Sequence, residues 1–465
     1  MRSILSRLLI LFAVIGLIAA PVFFSANADI RRADSALAAA RPLEAAADLE
    51  HAAILLFWRT DLMERAGRAA FAGGDMVESV RLLEQANPLS VDSWSELGAA
   101  YYQLGQFDKS ARTLQRGLDT YGGANASLYR GLALARNAQG DFEGETAAMQ
   151  QYIALDDTEA AARYRLGLLL SVLDPENALS ELMASAKLDE AYDPAVQSMR
   201  SALNLASLES NEASRLVVIG RGLGLVREWA LARETFGRAV RADEKNAEAW
   251  AWLGEANQHL GQDGSGELRR AEALDPFSAN VRAMSGLYWK RMNDPQKALA
   301  QFQWAAAIEP KNPAFLAALG DAYAFAGNLP PALVAYQRAT ELAPADATYW
   351  RTLALFSGQY SFQVEEVGIP AAQQVLELRP DEAASFDLLG WTYLAANITG
   401  LAEENLLAAL RLDPDYAPAH LHLGIAYIQM GKMESARVHL LLAQSLNPES
   451  AEGQSAAQLL VLYFP

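Results

Sequence analysis

The sequence predicts an all-α fold: a right-handed superhelix of about eleven helix-turn-helix units, preceded by a hydrophobic helix. Three observations carry this. One residue pattern returns at 34-residue spacing through most of the chain. Alanine is abundant and β-branched residues are sparse after the N-terminus, which favours helix. The 465 residues are also more than one hydrophobic core usually organises, so several domains or a repeat array are expected.

The first element is apolar. Arg2 and Arg7 form a short basic flank, and an uncharged run then extends from Leu8 to Phe24. Ala26 and Ala28 form an A-x-A pattern that admits cleavage after Ala28. The 17-residue run is also just long enough to span a bilayer. A cleaved signal and a retained anchor both stay open, and both place the rest of the chain on the non-cytoplasmic side of a membrane. Residues 1–28 are read as this segment, and 29–59 as a helical cap.

The repeat is clearest toward the C-terminal end. From Ala417 to Ser450 it carries Leu423-Gly424, Tyr427, Gly431, Ala436, Leu440, Ala443 and Pro448. The preceding unit, Ala383 to Tyr416, has Phe386, Leu389-Gly390, Tyr393, Ala402, Leu406, Ala409 and Pro414. Pro313 to Asp346 repeats the scheme, as does the stretch from Trp94 through Leu97-Gly98 and Tyr101 to Gly117. Within a first helix, the Leu, Gly and Tyr sit at i, i+1 and i+4, so they face the partner helix. Glycine lets that helix approach closely, and proline ends the second helix. One pair cannot bury its own apolar face, so neighbours must stack.

These residues resemble the tetratricopeptide repeat family, whose pattern is W-x2-L-G-x2-Y, then A-x3-F, then P, over 34 residues. The resemblance covers nearly everything from Thr60 to Ser450. Residues 60–193 read as about four repeats and 213–450 as about seven. Between them, 194–212 reads as a degenerate half-repeat, a hinge or a break. The unit from Ala247 to Pro276 is short, and the one opening near Tyr349 lies about two residues out of register. Residues 451–465 read as a closing helix, either packed as a cap or exposed as a docking tail.

No constellation for catalysis stands out. The net charge of −18 disfavours nucleic-acid binding, and the absence of cysteine excludes disulfides and thiolate chemistry. His51, His259, His420, His422 and His439 have no metal-ligand spacing; His420 and His422 point to different helix faces. Gly220 to Gly224 superficially matches a dinucleotide loop, but no strand precedes it. The expectation is therefore no cofactor, no metal and no enzyme activity, with repeats consuming the chain.

The resemblance implies instead a ligand groove lined by positions 2, 5, 9, 12 and 13 of each first helix. Position 9 falls on Arg221, Glu255, Leu287, Asp321, Trp391 and Ile425. Positions 12 and 13 fall on Tyr102 and Gln103, Gln258 and His259, Lys290 and Arg291, Phe325, Tyr360, and Ile428 and Gln429. Trp391 and Phe325 read as binding aromatics, and Ile425 and Ile428 as packing between repeats. The set of Lys, Asn and Arg that clamps chaperone C-termini in this family is absent. The implied role is a scaffold that receives a peptide or helix and organises an envelope assembly. An alternative is an accessory protein for glycan or polysaccharide secretion, with Trp391 and Tyr102 stacking on sugars. A third reading, an enzyme with a site built between helices, has no nucleophile, base or metal set to carry it.

Overall fold

The structure, a computed structural model, describes residues 2–464, with side chains from 20 to 464. The described residues are helical throughout, without strands, and fall into two compact units, Met1–Ala242 and Asp243–Pro465. Eleven antiparallel helix pairs follow the first hairpin, in agreement with the repeat count expected from spacing.

The first unit opens with α1 (Arg2–Ala38) and α2 (Pro42–Leu55). α1 continues unbroken through the Ala28–Asp29 junction, because Ala26, Ala33 and Ala36 are core residues of this hairpin. The predicted signal or anchor falls largely on residues 2–19, whose side chains lie outside the description. Among the described residues no helix is long and apolar enough to cross a membrane. Five pairs follow, from Thr60–Ala72 with Met76–Gln85 to Glu212–Leu225 with Trp229–Ala242.

One helix of this unit, Asp193–Ala206, has no second helix of its own. It packs Val196, Met199 and Leu203 inward, and its Ala202 methyl sits where Gly222 leaves no room for a side chain. Charged groups link the helices before it in the chain to those after it. Buried Glu145 accepts two hydrogen bonds from Arg165, at 2.7 and 2.9 Å, and Arg165 also reaches Glu228 at 3.0 Å. Arg238 meets Glu143 at 3.0 Å, 95 residues away in sequence.

The second unit is more regular. Its first helices Ala279–Arg291, Pro313–Phe325, Ala383–Ala395 and Ala417–Gln429 are all 13 residues long. Two of them are capped: Ser278 and Asn312 accept from backbone N–H groups three and two residues on. The repeat glycine marks a steric boundary. A Cβ on Gly320 would come within 2.7 Å of the Tyr336 ring, and one on Gly424 within 2.7 Å of Leu440.

Two units depart from the regular length. The repeat expected near Tyr349 opens at Ala347, 34 residues after Pro313, so its first helix is in register. The extra residues fall later, in a π-helical turn, Val364–Gly368, that leads into Ile369–Leu378. The repeat at Ala247–His259 is short because its second helix, Ser265–Leu274, has 10 residues where the next has 14. The missing turn leaves a cavity of ≈ 520 Å³ beside Leu268, Tyr288 and Trp289. Ser285, in place of the repeat leucine, lines that cavity with a buried hydroxyl that has no hydrogen-bond partner.

The closing helix is Ala451–Tyr463. Ala456, Leu459 and Leu460 pack on the last repeat, whereas Val461 and Leu462 are exposed.

Candidate functional site

The most concentrated group of expected groove residues lies in the second unit. Lys290, Asp321, Phe325 and Tyr360 come from three successive first helices or their ends and line one cavity of ≈ 400 Å³. Thr352, Leu355, Phe356 and Gln359 complete its wall. The register explains the convergence. Asp321 and Phe325 are four residues apart on Pro313–Phe325, so they share a face. Tyr360 is the C-cap of Ala347–Gln359 and not a helical position, a consequence of that helix starting at Ala347.

The cavity has an aromatic wall and two opposite charges. The rings of Tyr336 and Phe356 lie 4.9 Å apart, and those of Phe356 and Tyr360 5.6 Å apart. The Tyr336 hydroxyl donates to Asp321 Oδ1 at 2.6 Å. Burial, reinforced by the Asp321 charge, pushes the Tyr336 hydroxyl far above its ordinary value, so it stays a donor. Asp321 and Lys290 are exposed at the rim, so a ligand can meet an anion and a cation around an apolar floor.

Other expected groove residues are placed differently. Glu255 is only 5% exposed. It accepts from Arg291 Nη1 at 2.7 Å and again from Nη2, and lies 3.2 Å from His259 Nε2. Arg291 also donates to Gln258 at 2.8 Å. Glu255, His259 and Arg291, all expected groove positions, thus form a clasp between Ala247–His259 and Ala279–Arg291. Trp391 is half-buried. Its ring edge occupies the space at Gly358, where a Cβ would come within 2.4 Å, and its centroid is 6.4 Å from that of His422. It packs between repeats with part of its ring exposed. Gln429 is exposed at the end of Ala417–Gln429.

Tyr102, Gln103 and Arg221 belong to the first unit. Tyr102 packs 5.3 Å from Phe107, and Gln103 and Arg221 are exposed. The sequence reading missed Tyr336 and Phe356. Tyr336 occupies the second-helix aromatic position of its repeat; an aspartate on the facing first helix is the signal that its hydroxyl has a partner. Among the described residues no cluster of three or more His, Cys, Asp or Glu side chains can hold a metal ion.

Antiparallel helix pairs, stacked edge to edge and closed by a small residue against a large one, define an α-helical repeat solenoid. The chain belongs to the tetratricopeptide repeat family. Models described as Tetratricopeptide repeat match residues 95–162, 221–279, 291–355 and 393–460, together more than half of the chain.

The chain is 24% identical over 238 residues to a peroxisomal targeting signal receptor of Candida albicans, covering 49% of this chain and 40% of that protein. It is 27% identical over 195 residues to a BBSome complex member BBS4 homolog of Drosophila melanogaster, covering 41% and 39%. It is 28% identical over 165 residues to the probable UDP-N-acetylglucosamine–peptide N-acetylglucosaminyltransferase SPINDLY of Hordeum vulgare, covering 35% and 14%. The chain therefore spans less than half the length of these curated relatives. Among solved structures it is similar to yeast Tom70, with a TM-score of 0.41 and 14% identity over 94% of this chain and 95% of that one.

Proposed function

We propose that the chain is a non-catalytic scaffold that receives an extended peptide or helix of a partner protein in the groove of its second unit. The observation that carries this is the ≈ 400 Å³ cavity into which Lys290, Asp321, Phe325 and Tyr360 converge. Its aromatic floor suits an apolar side chain, and its charged rim suits the polar backbone and flanking charges of a peptide. One relative's name denotes a targeting-signal receptor, in keeping with peptide capture. A photo-crosslinking residue placed at Phe325 or Tyr360 in native cells should trap one discrete protein. The adduct should weaken several-fold in Lys290→Glu. The same adduct from exposed Trp304, on a second helix, would sink the groove reading.

The scaffold is further proposed to work on the non-cytoplasmic side of a membrane, in an envelope complex, exported or anchored by the apolar run Leu8–Phe24. The chain has no cysteine, so Gln429→Cys supplies a single reporter thiol. A membrane-impermeant maleimide should label it in cells with an intact cytoplasmic membrane; labelling only after lysis would overturn this location. The glycan alternative has weaker support, because the ring of Trp391 is committed to packing at Gly358.

A further inference from the structure

The hairpin of α1 and α2 ends in an apolar cluster that the rest of the unit leaves uncovered. Two ion pairs fix its register: Asp29 meets His51 at 2.7 Å, and Arg32 meets Asp48 at 3.0 Å. Each step toward the start of α1 is therefore matched by one step toward the end of α2. By that register Phe24 lies level with Leu56, the C-cap of α2, and Phe57 and Trp58 follow directly in the turn. Phe23, Phe24, Ile54, Phe57 and Trp58 are 53%, 70%, 62%, 80% and 58% exposed. Their rings pair edge to face, Phe23 with Phe24 at 6.4 Å and Phe57 with Trp58 at 5.2 Å.

The position of this cluster along α1 says what covers it. Phe24 ends the uncharged run that begins at Leu8. At 1.5 Å per helical residue the run is about 25 Å long, close to the ~30 Å hydrocarbon core of a bilayer. The first charges beyond it, Asp29 and then Arg31 and Arg32, begin about 7–8 Å past Phe24 on the same scale. Aromatic residues between an apolar span and the first charges occupy the level that Trp and Phe favour at a lipid–water interface. The charge next to Trp58 is already matched, since Arg59 donates to both oxygens of Asp61 at 2.7 and 2.8 Å.

We infer that Phe23, Phe24, Ile54, Phe57 and Trp58 form a lipid-facing collar that seats the first hairpin on a bilayer, with α1 retained uncleaved. Cleavage after Ala28 would cut α1 in mid-course. It would also remove Ala26, fully buried in one core with Leu49, Ala53 and Leu56. The inference rests on the membrane reading above and deepens it: the repeat array starts at the membrane surface with no spacer between.

The test uses the full chain reconstituted with phosphatidylcholine–phosphatidylglycerol vesicles whose acyl chains carry bromine either near the headgroup or deep in the core. The protein should float with the vesicles. Shallow bromine should quench the Trp58 share of the fluorescence more than deep bromine does, and Trp58→Phe should lose that quenched share. Equal quenching of both proteins during co-flotation would overturn the collar and leave the membrane reading standing. Failure of the full chain to float would remove the membrane reading and the collar with it. A native protein that begins at Asp29 would overturn retention of α1.

Discussion

Arg165 holds two carboxylates of the first unit, Glu145 and Glu228. Burial works against its charge, but Glu145 and Glu228 outweigh that effect and raise its pKa. Arg165→Met would leave Glu145, 3% exposed at the side chain, with Asn137 as its remaining donor. The expected loss is about 3 kcal/mol, the usual penalty for orphaning a buried charge, read as a lower urea midpoint. His439 offers a second test. Burial, then the neighbouring His420, lowers its pKa below 6.5. Its Nδ1 lies 2.9 Å from that of His420, whose Nε2 lies 2.9 Å from the Pro414 carbonyl, and the Tyr427 ring sits tilted 5.6 Å away. A group with a depressed folded pKa adds stability that is complete above its unfolded pKa of ~6.5 and declines as pH falls toward the folded value. The last repeat should therefore soften in mild acid, and His439→Gln should flatten that decline in a stability-versus-pH series.

At the scale of the element, the repeat glycine and the cavity beside Ser285 are opposite cases of packing. Gly320→Ala would push a methyl against the Tyr336 ring and disturb its bond to Asp321. The expected cost is about 1–3 kcal/mol, with weaker capture of a groove ligand. Ser285→Leu restores the repeat leucine and removes an unpaired hydroxyl beside the ≈ 520 Å³ cavity. It should stabilise by about 1 kcal/mol, seen as a higher Tm; an unchanged or lower Tm would mean the cavity cannot take the side chain. Helix pairs and their spacing were legible in sequence because glycine, tyrosine and proline recur for steric reasons that act within one repeat. The extra residues at Val364–Gly368 were misplaced because a π turn shifts length without changing the helix before it. The clasp at Glu255 was not legible because its partner Arg291 is 36 residues away on the next repeat, a pairing no local pattern announces.

At the scale of the whole molecule, contacts run mainly between neighbouring helices, so stability is distributed along the chain and not held in one core. The chain divides into two compact units. Calorimetry is expected to resolve more than one transition, with Arg165→Met lowering one and Gly320→Ala another; a single transition shifted by both variants would contradict that independence. The charged braces on either side of Asp193–Ala206 in the chain carry one more consequence, a mechanical one. Glu143 and Arg238 close a loop of 95 residues that includes the pair Ala160–Leu173 with Pro175–Leu188, the lone helix and Glu212–Leu225. Under a pulling force the outer repeats can unravel one by one, while this loop keeps its length hidden until the braces part. At ~3.4 Å per extended residue, their rupture would release about 320 Å of chain in one step. The lone helix would then act as a strain limiter in an otherwise gradually yielding spring.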